Sequence, residues 1–258
     1  MRWLSVLGLL VWVQVALAQG QFTSVWEPVC TMGQDAAAGC SDIRAREILD
    51  ASADPWSAIG RVNFASRSQR SHCTGVLVSE RLVLTAAHCL YNSARNGWIP
   101  PESIRFAAGY QRGEAAAVST VTIYRMDAEQ GDGGNFNNRA DLDWAILELT
   151  DPIGAQVGFL GISQTVPQTG MFAGYPGLRP HVLSRTPDCV PGPAGDGLMH
   201  AICPVMMGDS GAPLLVQTDA GLAVAGILSR IAPTPDGIDA LFLSVRLFEL
   251  GAPPSQVP

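Results

Sequence analysis

Charged residues are scarce in this sequence. They make up 15% of its 258 positions, with 16 Lys and Arg against 23 Asp and Glu. A formal net charge of −7 and the lack of any basic run exclude the charge pattern of a nucleic-acid-binding protein. Hydrophobic residues reach 47%, so the composition is not that of a disordered chain either. We therefore expect a globular protein with no nucleic-acid partner.

Long apolar runs are lacking beyond the N-terminus. There, Arg2 is followed by an apolar run from Trp3 to Leu17 that ends in the small-x-small sequence Ala16-Leu17-Ala18. A membrane-spanning helix needs about 20 apolar residues, and Gln14 interrupts this shorter run. The pattern predicts a signal peptide over residues 1–18. The mature protein is then exported, to the periplasm or the extracellular medium, with no membrane attachment after signal cleavage.

Cysteines are few, but their number is even, at six. Two of them stand in the pairs His72-Cys73 and His88-Cys89, which together resemble a zinc ligand set. An exported protein folds in an oxidising compartment, and this favours disulfides over the zinc site. The spacing predicts three local disulfides: Cys30–Cys40, Cys73–Cys89 and Cys189–Cys203.

Glycine and proline are abundant, with 27 and 18 residues, and favour many short strands joined by turns. Residues 19–50 carry little periodic pattern and are interpreted as an N-terminal extension or pro-segment outside the core. Strand candidates begin after Trp56 and cluster on both sides of Pro152, which predicts two halves of about residues 51–150 and 151–250. The first candidate of the second half is Gln156 to Gly161.

Three residues in different parts of the chain carry the candidate chemistry. Ser210 stands between glycines in a segment suited to a tight loop, but by itself this segment could be an ordinary turn. A serine hydroxyl becomes a strong nucleophile only beside a base. His88 follows an apolar strand, and Asp143 begins an apolar run, where a buried carboxylate needs a partner. These residues occur in the order His, Asp, Ser, as in the two-barrel serine peptidases.

The local sequences around these residues resemble those of the trypsin-like (chymotrypsin-fold) serine peptidase family. The matching stretches are Cys73-Thr74-Gly75-Val76-Leu77-Val78, Leu84-Thr85-Ala86-Ala87-His88-Cys89, Asp143-Trp144-Ala145-Ile146-Leu147 and Gly208-Asp209-Ser210-Gly211-Ala212-Pro213. With Gly174-Tyr175-Pro176-Gly177, the wording is most similar to bacterial members, including the V8-like glutamyl endopeptidases. The resemblance covers about residues 54 to 250 and implies an all-β fold of two packed six-stranded antiparallel β-barrels. The peptidase domain would span residues 51–258, with its active site in the cleft between the barrels.

The resemblance also implies roles. Ser210 would attack the peptide carbonyl, His88 would accept and return its proton, and Asp143 would hold the imidazole. The backbone N–H groups of Gly208 and Ser210 would form the oxyanion hole. It implies a secreted monomeric endopeptidase that acts on proteins or peptides and requires no metal or organic cofactor.

In this family Asp209 would pair with a new N-terminal amine released by cleavage of a pro-segment. The usual Ile-Val-Gly-Gly start is missing here. Cleavage after Arg44 or Arg46, or just before Ile48, could expose a substitute. We therefore hypothesise that a zymogen is activated between Arg44 and Ile48.

The substrate pocket is predicted to involve Pro204, Val205, Leu228, Ser229 and Arg230. Pro204 occupies the position of the aspartate that selects basic residues in trypsin-like cleavers. Leu228 stands where glutamate-specific relatives have a histidine, and Arg230 departs from the usual tryptophan. We expect a small or apolar residue before the cut bond.

Two alternatives remain. A secreted homologue could keep the barrels and act as a binding protein without turnover, although degenerate members usually lose a triad residue or the glycine before the Asp-Ser pair. A zinc hydrolase could use His72 and His88, but no His-Glu-x-x-His motif is present.

Overall fold

The computed structural model of this protein describes residue 30, residues 39–64, residues 72–248 and residue 250. The predicted signal peptide, residues 1–18, lies outside the described residues, as does most of the segment up to residue 38. Within the described part, no helix is both long enough and apolar enough to span a membrane.

The end of the predicted N-terminal extension is part of the packed structure. It forms helix α1 (Cys40–Ala45) and strand β1 (Glu47–Ile48). A helix of this length is not stable by itself and needs tertiary contacts. Ile43 supplies them, because its side chain is fully buried in the core of the second half. The folded part therefore reaches upstream of the boundary near residue 51 that the sequence predicts.

The first half is built around a closed barrel of six antiparallel strands. Its region contains β2 (Ile59–Phe64), β3 (His72–Leu77), β4 (Leu82–Ala86), β5 (Tyr91–Asn92), β6 (Gly97–Trp98), β7 (Ile104–Ala108), β8 (Ala117–Met126) and β9 (Trp144–Leu149). The barrel pairs them in the order β2-β3-β4-β9-β8-β7, and β5 and β6 form a separate hairpin. A hairpin turn around Ser79-Glu80 joins β3 to β4. Closure leaves no free strand edge in the barrel.

The second half is an antiparallel sheet that also takes in β1. Its strands are β10 (Gly161–Ile162), β11 (Met171–Gly174), β12 (Ser184–Arg185), β13 (Gly192–Gly195), β14 (Leu198–Ile202), β15 (Pro213–Thr218), β16 (Gly221–Thr234) and β17 (Gly237–Ser244). Their order is β1-β12-β11-β15-β16-β17-β14-β13, and β10 pairs in parallel with β16. The predicted all-β fold in two halves is confirmed. Strand pairing closes the first barrel, whereas the pairing path of the second half stays open among the described residues.

One strand candidate was wrong. The run Gln156 to Gly161 begins inside a short helix, α2 (Gly154–Val157), and only its last residue enters β10. Gly154 packs so closely that a Cβ there would lie 2.5 Å from the carbonyl oxygen of Ser79. Gly158 ends the helix with φ of 81°. This stretch therefore forms a tight turn against the β3–β4 hairpin and not the predicted extended strand.

Short 3₁₀ turns make several of the connections: Trp56–Ala58, Ala87–Leu90, Pro101–Ser103, Asp132–Gly134, Ala140–Leu142 and Val245–Leu247.

All six cysteines are paired as predicted, in the disulfides Cys30–Cys40, Cys73–Cys89 and Cys189–Cys203. The second of these ties strand β3 to the 3₁₀ turn Ala87–Leu90. Because both sulfurs are bonded to each other, Cys73 and Cys89 do not offer the two thiolates that the zinc alternative requires.

Candidate active site

His88 lies in the 3₁₀ turn Ala87–Leu90 that directly follows β4. The apolar residues of β4 are held in the barrel, and the disulfide of Cys89 fixes the far side of the turn. The imidazole is 12% exposed, so it is held between the protein interior and the surface. The turn therefore presents this ring from a rigid base at the barrel edge.

Asp143 stands between the 3₁₀ turn Ala140–Leu142 and strand β9, and it is 1% exposed. Its carboxylate accepts three hydrogen bonds. One oxygen accepts from the backbone N–H of His88 at 2.8 Å. The other lies 2.8 Å from His88 Nδ1 and accepts from the hydroxyl of Ser229 at 2.5 Å. The buried carboxylate thus has the partners that its position requires.

Ser229 reaches Asp143 because strand β16 has a bulge at this point. Leu228 pairs with Phe242 and Arg230 with the next residue, Leu241, which leaves Ser229 as the extra residue. A bulge re-aims a side chain relative to the regular alternation of the strand. The sequence pointed to Ser229 only as part of the pocket wall and missed its hydrogen bond to Asp143.

Ser210 lies in the loop between β14 and β15, with glycines at positive φ on both sides. Gly208 has φ of 90° and Gly211 has φ of 80°. Thr74 on β3 fixes this loop by two bonds: its N–H donates to the carbonyl oxygen of Ser210 at 2.8 Å, and its hydroxyl donates to that of Gly208 at 2.9 Å. Thr74 belongs to a stretch that matched the family by wording, but its role could not be read from the sequence.

The loop, the imidazole and the carboxylate meet between the two halves. The sulfur of Cys89 lies 3.9 Å from the carbonyl oxygen of Ser210 and within 4.8 Å of a ring nitrogen of His88. On the other side, the N–H of Gly211 donates to the carbonyl oxygen of Leu228, the neighbour of Ser229, at 2.8 Å. The structure therefore brings the three predicted residues together from separate parts of the chain.

Two backbone donors of the loop have no partner in the part of the chain that the structure describes. Within the described residues, neither the N–H of Gly208 nor that of Ser210 has a hydrogen-bond partner. Unpaired amides at a buried loop cost free energy unless another group accepts from them. Two such donors beside a serine hydroxyl match the requirement for stabilising an oxyanion.

His72 and Tyr175 pack against the Ser210 loop at Gly208. The ring nitrogen Nε2 of His72 donates to the carbonyl oxygen of Tyr175 at 2.9 Å. A Cβ on Gly208 would lie 2.7 Å from that nitrogen and 2.5 Å from that oxygen. The loop can therefore pack this closely against His72 and Tyr175 only with glycine at position 208. Burial, with Arg61 and His181 nearby, lowers the pKa of His72 to about 4. The ring is therefore neutral at physiological pH.

The predicted pocket residues divide into two groups. Val205 and Leu228 are buried in one apolar cluster of the second half, and Pro204, which directly precedes Val205, is half-buried. By contrast, the Ser229 hydroxyl is directed at Asp143, and the Arg230 guanidinium donates to the carbonyl oxygen of Asn138 at 2.9 Å. Val205 and Leu228 therefore lie among apolar side chains, and the contact of the five predicted residues with substrate stays a prediction.

Asp209 is fully buried behind the loop. Its carboxylate oxygen Oδ2 lies 2.7 Å from Nη1 of Arg46 and accepts from the N–H of Met206 at 3.0 Å. Burial raises the pKa of Asp209 above its ordinary value, and the guanidinium of Arg46 opposes that rise. The sequence marked Arg46 only as a possible cleavage site.

Comparison with known proteins gives a consistent family assignment. A family model described as Trypsin matches residues 50–240. A glutamyl endopeptidase of Bacillus licheniformis is 30% identical over 142 residues, which cover 53% of this chain and 41% of that protein. Serine protease 23 of Rattus norvegicus is 30% identical over 161 residues, covering 49% of this chain and 42% of that protein. The chain thus matches less than half the length of these relatives.

Solved structures share the fold at lower identity. A Glu endopeptidase in complex with MPD superposes with a TM-score of 0.63 at 21% identity, covering 77% of this chain and 90% of its own. The protease Anisep from Arthrobacter nicotinovorans gives 0.59 at 18% identity, covering 75% and 92%. At these identities the likeness establishes the architecture alone.

Proposed function

This chain belongs to the trypsin family of serine peptidases, and we propose that it is an exported endopeptidase that cuts peptide bonds through Ser210, His88 and Asp143. The observation that carries the proposal is the 2.8 Å contact between His88 Nδ1 and the buried carboxylate of Asp143, next to the Ser210 loop. The catalytic roles below are those that this geometry supports best.

Asp143 sets the protonation of the imidazole. A buried carboxylate accepts a hydrogen bond only from a protonated ring nitrogen, so Nδ1 of His88 carries the proton. The other nitrogen, Nε2, is then the basic nitrogen of the ring, and it would take the proton of the Ser210 hydroxyl as that oxygen attacks the peptide carbonyl. The imidazolium that forms is stabilised by Asp143 and gives its proton to the leaving amine. Water then hydrolyses the acyl-enzyme by the same steps.

The unpaired N–H groups of Gly208 and Ser210 would bind the carbonyl oxygen as it becomes negatively charged. Removing one such donor typically lowers the rate by about 10²–10³. These donors are fixed in advance by the bonds of the loop to Thr74, so little reorganisation is needed during the reaction.

We infer a peptide or protein substrate with a small or apolar residue before the cut bond. The buried side chains of Val205 and Leu228 are apolar, and the Arg230 guanidinium is directed at the carbonyl oxygen of Asn138. The relative named glutamyl endopeptidase therefore does not set the expectation for this chain. A peptide-library profile dominated by Glu, Arg or Lys at that position would contradict the inference.

Labelling by a serine-directed fluorophosphonate tests the reaction. The exported, disulfide-bonded protein should take one label and hydrolyse an unstructured protein substrate, and Ser210→Ala should abolish both. The buried Ser57 of the first half provides the control, because Ser57→Ala should be labelled like the wild type. Folded wild-type protein without label or hydrolysis would instead support the inactive binding homologue. An N-terminus at residue 19 or beyond on the exported protein would support the predicted signal peptide.

A further inference from the structure

The carboxylate of Asp209 is buried with 0% of its side chain exposed, directly beside the proposed nucleophile. An ionised carboxylate in such a place needs a cation and hydrogen-bond donors, because leaving it unpaired is strongly destabilising. Its oxygen Oδ2 has both, from Arg46 and from the N–H of Met206. The other oxygen, Oδ1, lies where a Cβ on Gly174 would be 2.5 Å away, so the wall on that side is closely fitted.

Asp209 closes the turn that carries the catalytic loop. Its own N–H donates to the carbonyl oxygen of Met206 at 3.1 Å, and its carbonyl oxygen accepts from the N–H of Ala212 at 2.8 Å. Gly208 and Ser210 lie within this closed turn. Any force that holds the Asp209 side chain therefore also sets the position of the two proposed oxyanion donors.

The cation that holds it comes from an intact peptide chain. Arg46 has a side chain with 0% exposure, and its Nη2 also donates to the carbonyl oxygen of Ser184 at 2.6 Å. Its guanidinium carbon lies 5.6 Å from the centre of the Phe172 ring. Two charge-assisted bonds and an aromatic face give this group a fitted site.

The segment around Arg46 is anchored on both sides. Upstream, Ile43 is buried in the core of the second half, and downstream β1 pairs with β12. Arg179 donates to the carbonyl oxygens of both Arg44 and Arg46. The disulfide Cys30–Cys40 lies wholly upstream of Arg46, so a cut after Arg46 would leave no covalent link between that disulfide and the rest of the protein.

Cleavage at this place conflicts with the packing. A protease that cuts after Arg46 must bind the Arg46 side chain in the protease's own specificity pocket. In this protein that side chain is fully buried and cannot be reached. A cut after Arg44 or before Ile48 would fall between hydrogen bonds that fix the segment. Asp209 already has the cation that cleavage was hypothesised to provide.

We propose that Arg46 is a positioning residue whose guanidinium holds Asp209 in the uncut chain and thereby orders the Gly208–Ser210 loop for catalysis. Residues 39–50 are then a permanent part of the active enzyme, and no cleavage between Arg44 and Ile48 is required. This inference rests on the proposed peptidase function, and it replaces a released N-terminal amine by an internal side chain.

The test compares four forms of the full exported chain: the wild type, Arg46→Met, Arg46→Lys and Glu47→Gln. Glu47 is the matched control, because it neighbours Arg46 and its carboxylate forms an exposed ion pair with Arg185 at 2.6 Å. Each form is analysed by intact mass, N-terminal sequencing, circular dichroism, fluorophosphonate labelling, and kcat and KM on an apolar peptide.

The active wild-type enzyme should begin upstream of Cys30. Arg46→Met should lower kcat by about 10²-fold or more, as expected when an oxyanion donor is misplaced, with a much smaller change in KM. Arg46→Lys should recover part of that kcat because it keeps the charge, and Glu47→Gln should match the wild type. Partial rescue by lysine, together with the split between kcat and KM, would not be produced by a merely structural role.

The outcomes separate the two proposals. A folded wild type that is neither labelled nor active would overturn the peptidase function. A wild type that is active only after a cut between Arg44 and Ile48, or an Arg46→Met variant with wild-type kcat, would overturn the inference and leave the function standing. If Arg46→Met does not fold, the N-terminus of the active wild-type enzyme decides by itself between the uncut and the cleaved form.

Discussion

The carboxylate of Asp143 shows how a single residue is placed by groups from two distant parts of the chain. Two of its three donors belong to His88, and the third is the hydroxyl of Ser229 from the other half of the molecule. These three hydrogen bonds together restrict the rotation of the carboxylate. The orientation of the imidazole therefore depends on both halves, and Ser229 couples the second half to the proposed base.

We predict that Ser229→Ala weakens both stability and turnover. Loss of a hydrogen bond to a buried charged group typically costs about 1.5–3 kcal/mol in the free energy of unfolding. If about 1.4 kcal/mol of that is lost in the transition state, kcat falls about tenfold. Urea unfolding and peptide kinetics measure the two effects. Ser57→Ala removes an equally buried hydroxyl that donates to Val157 away from the site, so it should lower stability and leave kcat unchanged. Equal kcat in both variants would contradict the coupling.

Gly208 is a second position where one added atom, the Cβ of an alanine, should change the activity. We predict that Gly208→Ala lowers kcat by about 10²–10³, because the added Cβ would displace the loop from His72 and Tyr175 and misplace a proposed oxyanion donor. Gly195→Ala is the control, since Gly195 has a similar φ of 83° and a Cβ there would meet nothing within 4 Å. Both variants carry the backbone cost of about 1–2 kcal/mol for an L-residue at positive φ. Only the first should lose activity, and a matching loss in the control would contradict the steric explanation.

At the scale of elements, the site depends on irregularities more than on regular strands. The bulge in β16 directs Ser229 toward Asp143, and the 3₁₀ turn after β4 presents His88. The positive φ values of Gly208 and Gly211 shape the serine loop. Regular strands set the distance between these irregular points, and the disulfide Cys73–Cys89 fixes one of them to the barrel.

Helix α1 gives a prediction at this scale. Ile43→Ala should loosen the whole N-terminal segment, because Ile43 is its fully buried apolar anchor, and comparable truncations cost about 2–5 kcal/mol. We expect added trypsin to cleave the variant faster after Arg44 and Arg46, as measured by mass spectrometry. We also expect a lower kcat. Ser41→Ala alters an exposed residue of the same helix and should leave both rates unchanged. Unchanged trypsin sensitivity of Ile43→Ala would show that α1 does not hold the segment.

For the whole molecule, local sequence signals predicted two β halves, each with its own cluster of strand candidates, and the three disulfides. They did so because strand runs, turn residues and cysteine spacing are properties of neighbouring residues. The pairing of Arg46 with Asp209 joins positions 163 residues apart, and the hydrogen bonds of Thr74 to the serine loop are similarly remote in sequence. No local pattern encodes such contacts, so the sequence indicated Arg46 as a cleavage site and assigned Thr74 no role.

The contact between His72 and Tyr175 joins the two halves next to Gly208 of the serine loop, and we predict that it makes the stability of the fold sensitive to acid. The unfolded chain binds a proton on this ring near pH 6.5, whereas the folded protein does so only near pH 4, because burial and the charges of Arg61 and His181 oppose it. Between these values the unfolded state binds more protons. The free energy of unfolding therefore falls as the pH drops through this window, by at most about 1.4 kcal/mol per pH unit.

Replacing His72 by glutamine should remove this acid sensitivity, because the amide can still donate to the carbonyl oxygen of Tyr175 but binds no proton. We expect the wild type to lose about 2 kcal/mol more than His72→Gln between pH 6.5 and pH 4.5, measured by urea unfolding at constant ionic strength. His200→Gln is the control, because it removes a histidine that is 52% exposed and leaves His72 in place, so this variant should keep most of the acid-induced loss. Parallel curves for the wild type and His72→Gln would mean that the seam between the halves accepts a charged imidazole, and that its acid stability is set by other groups.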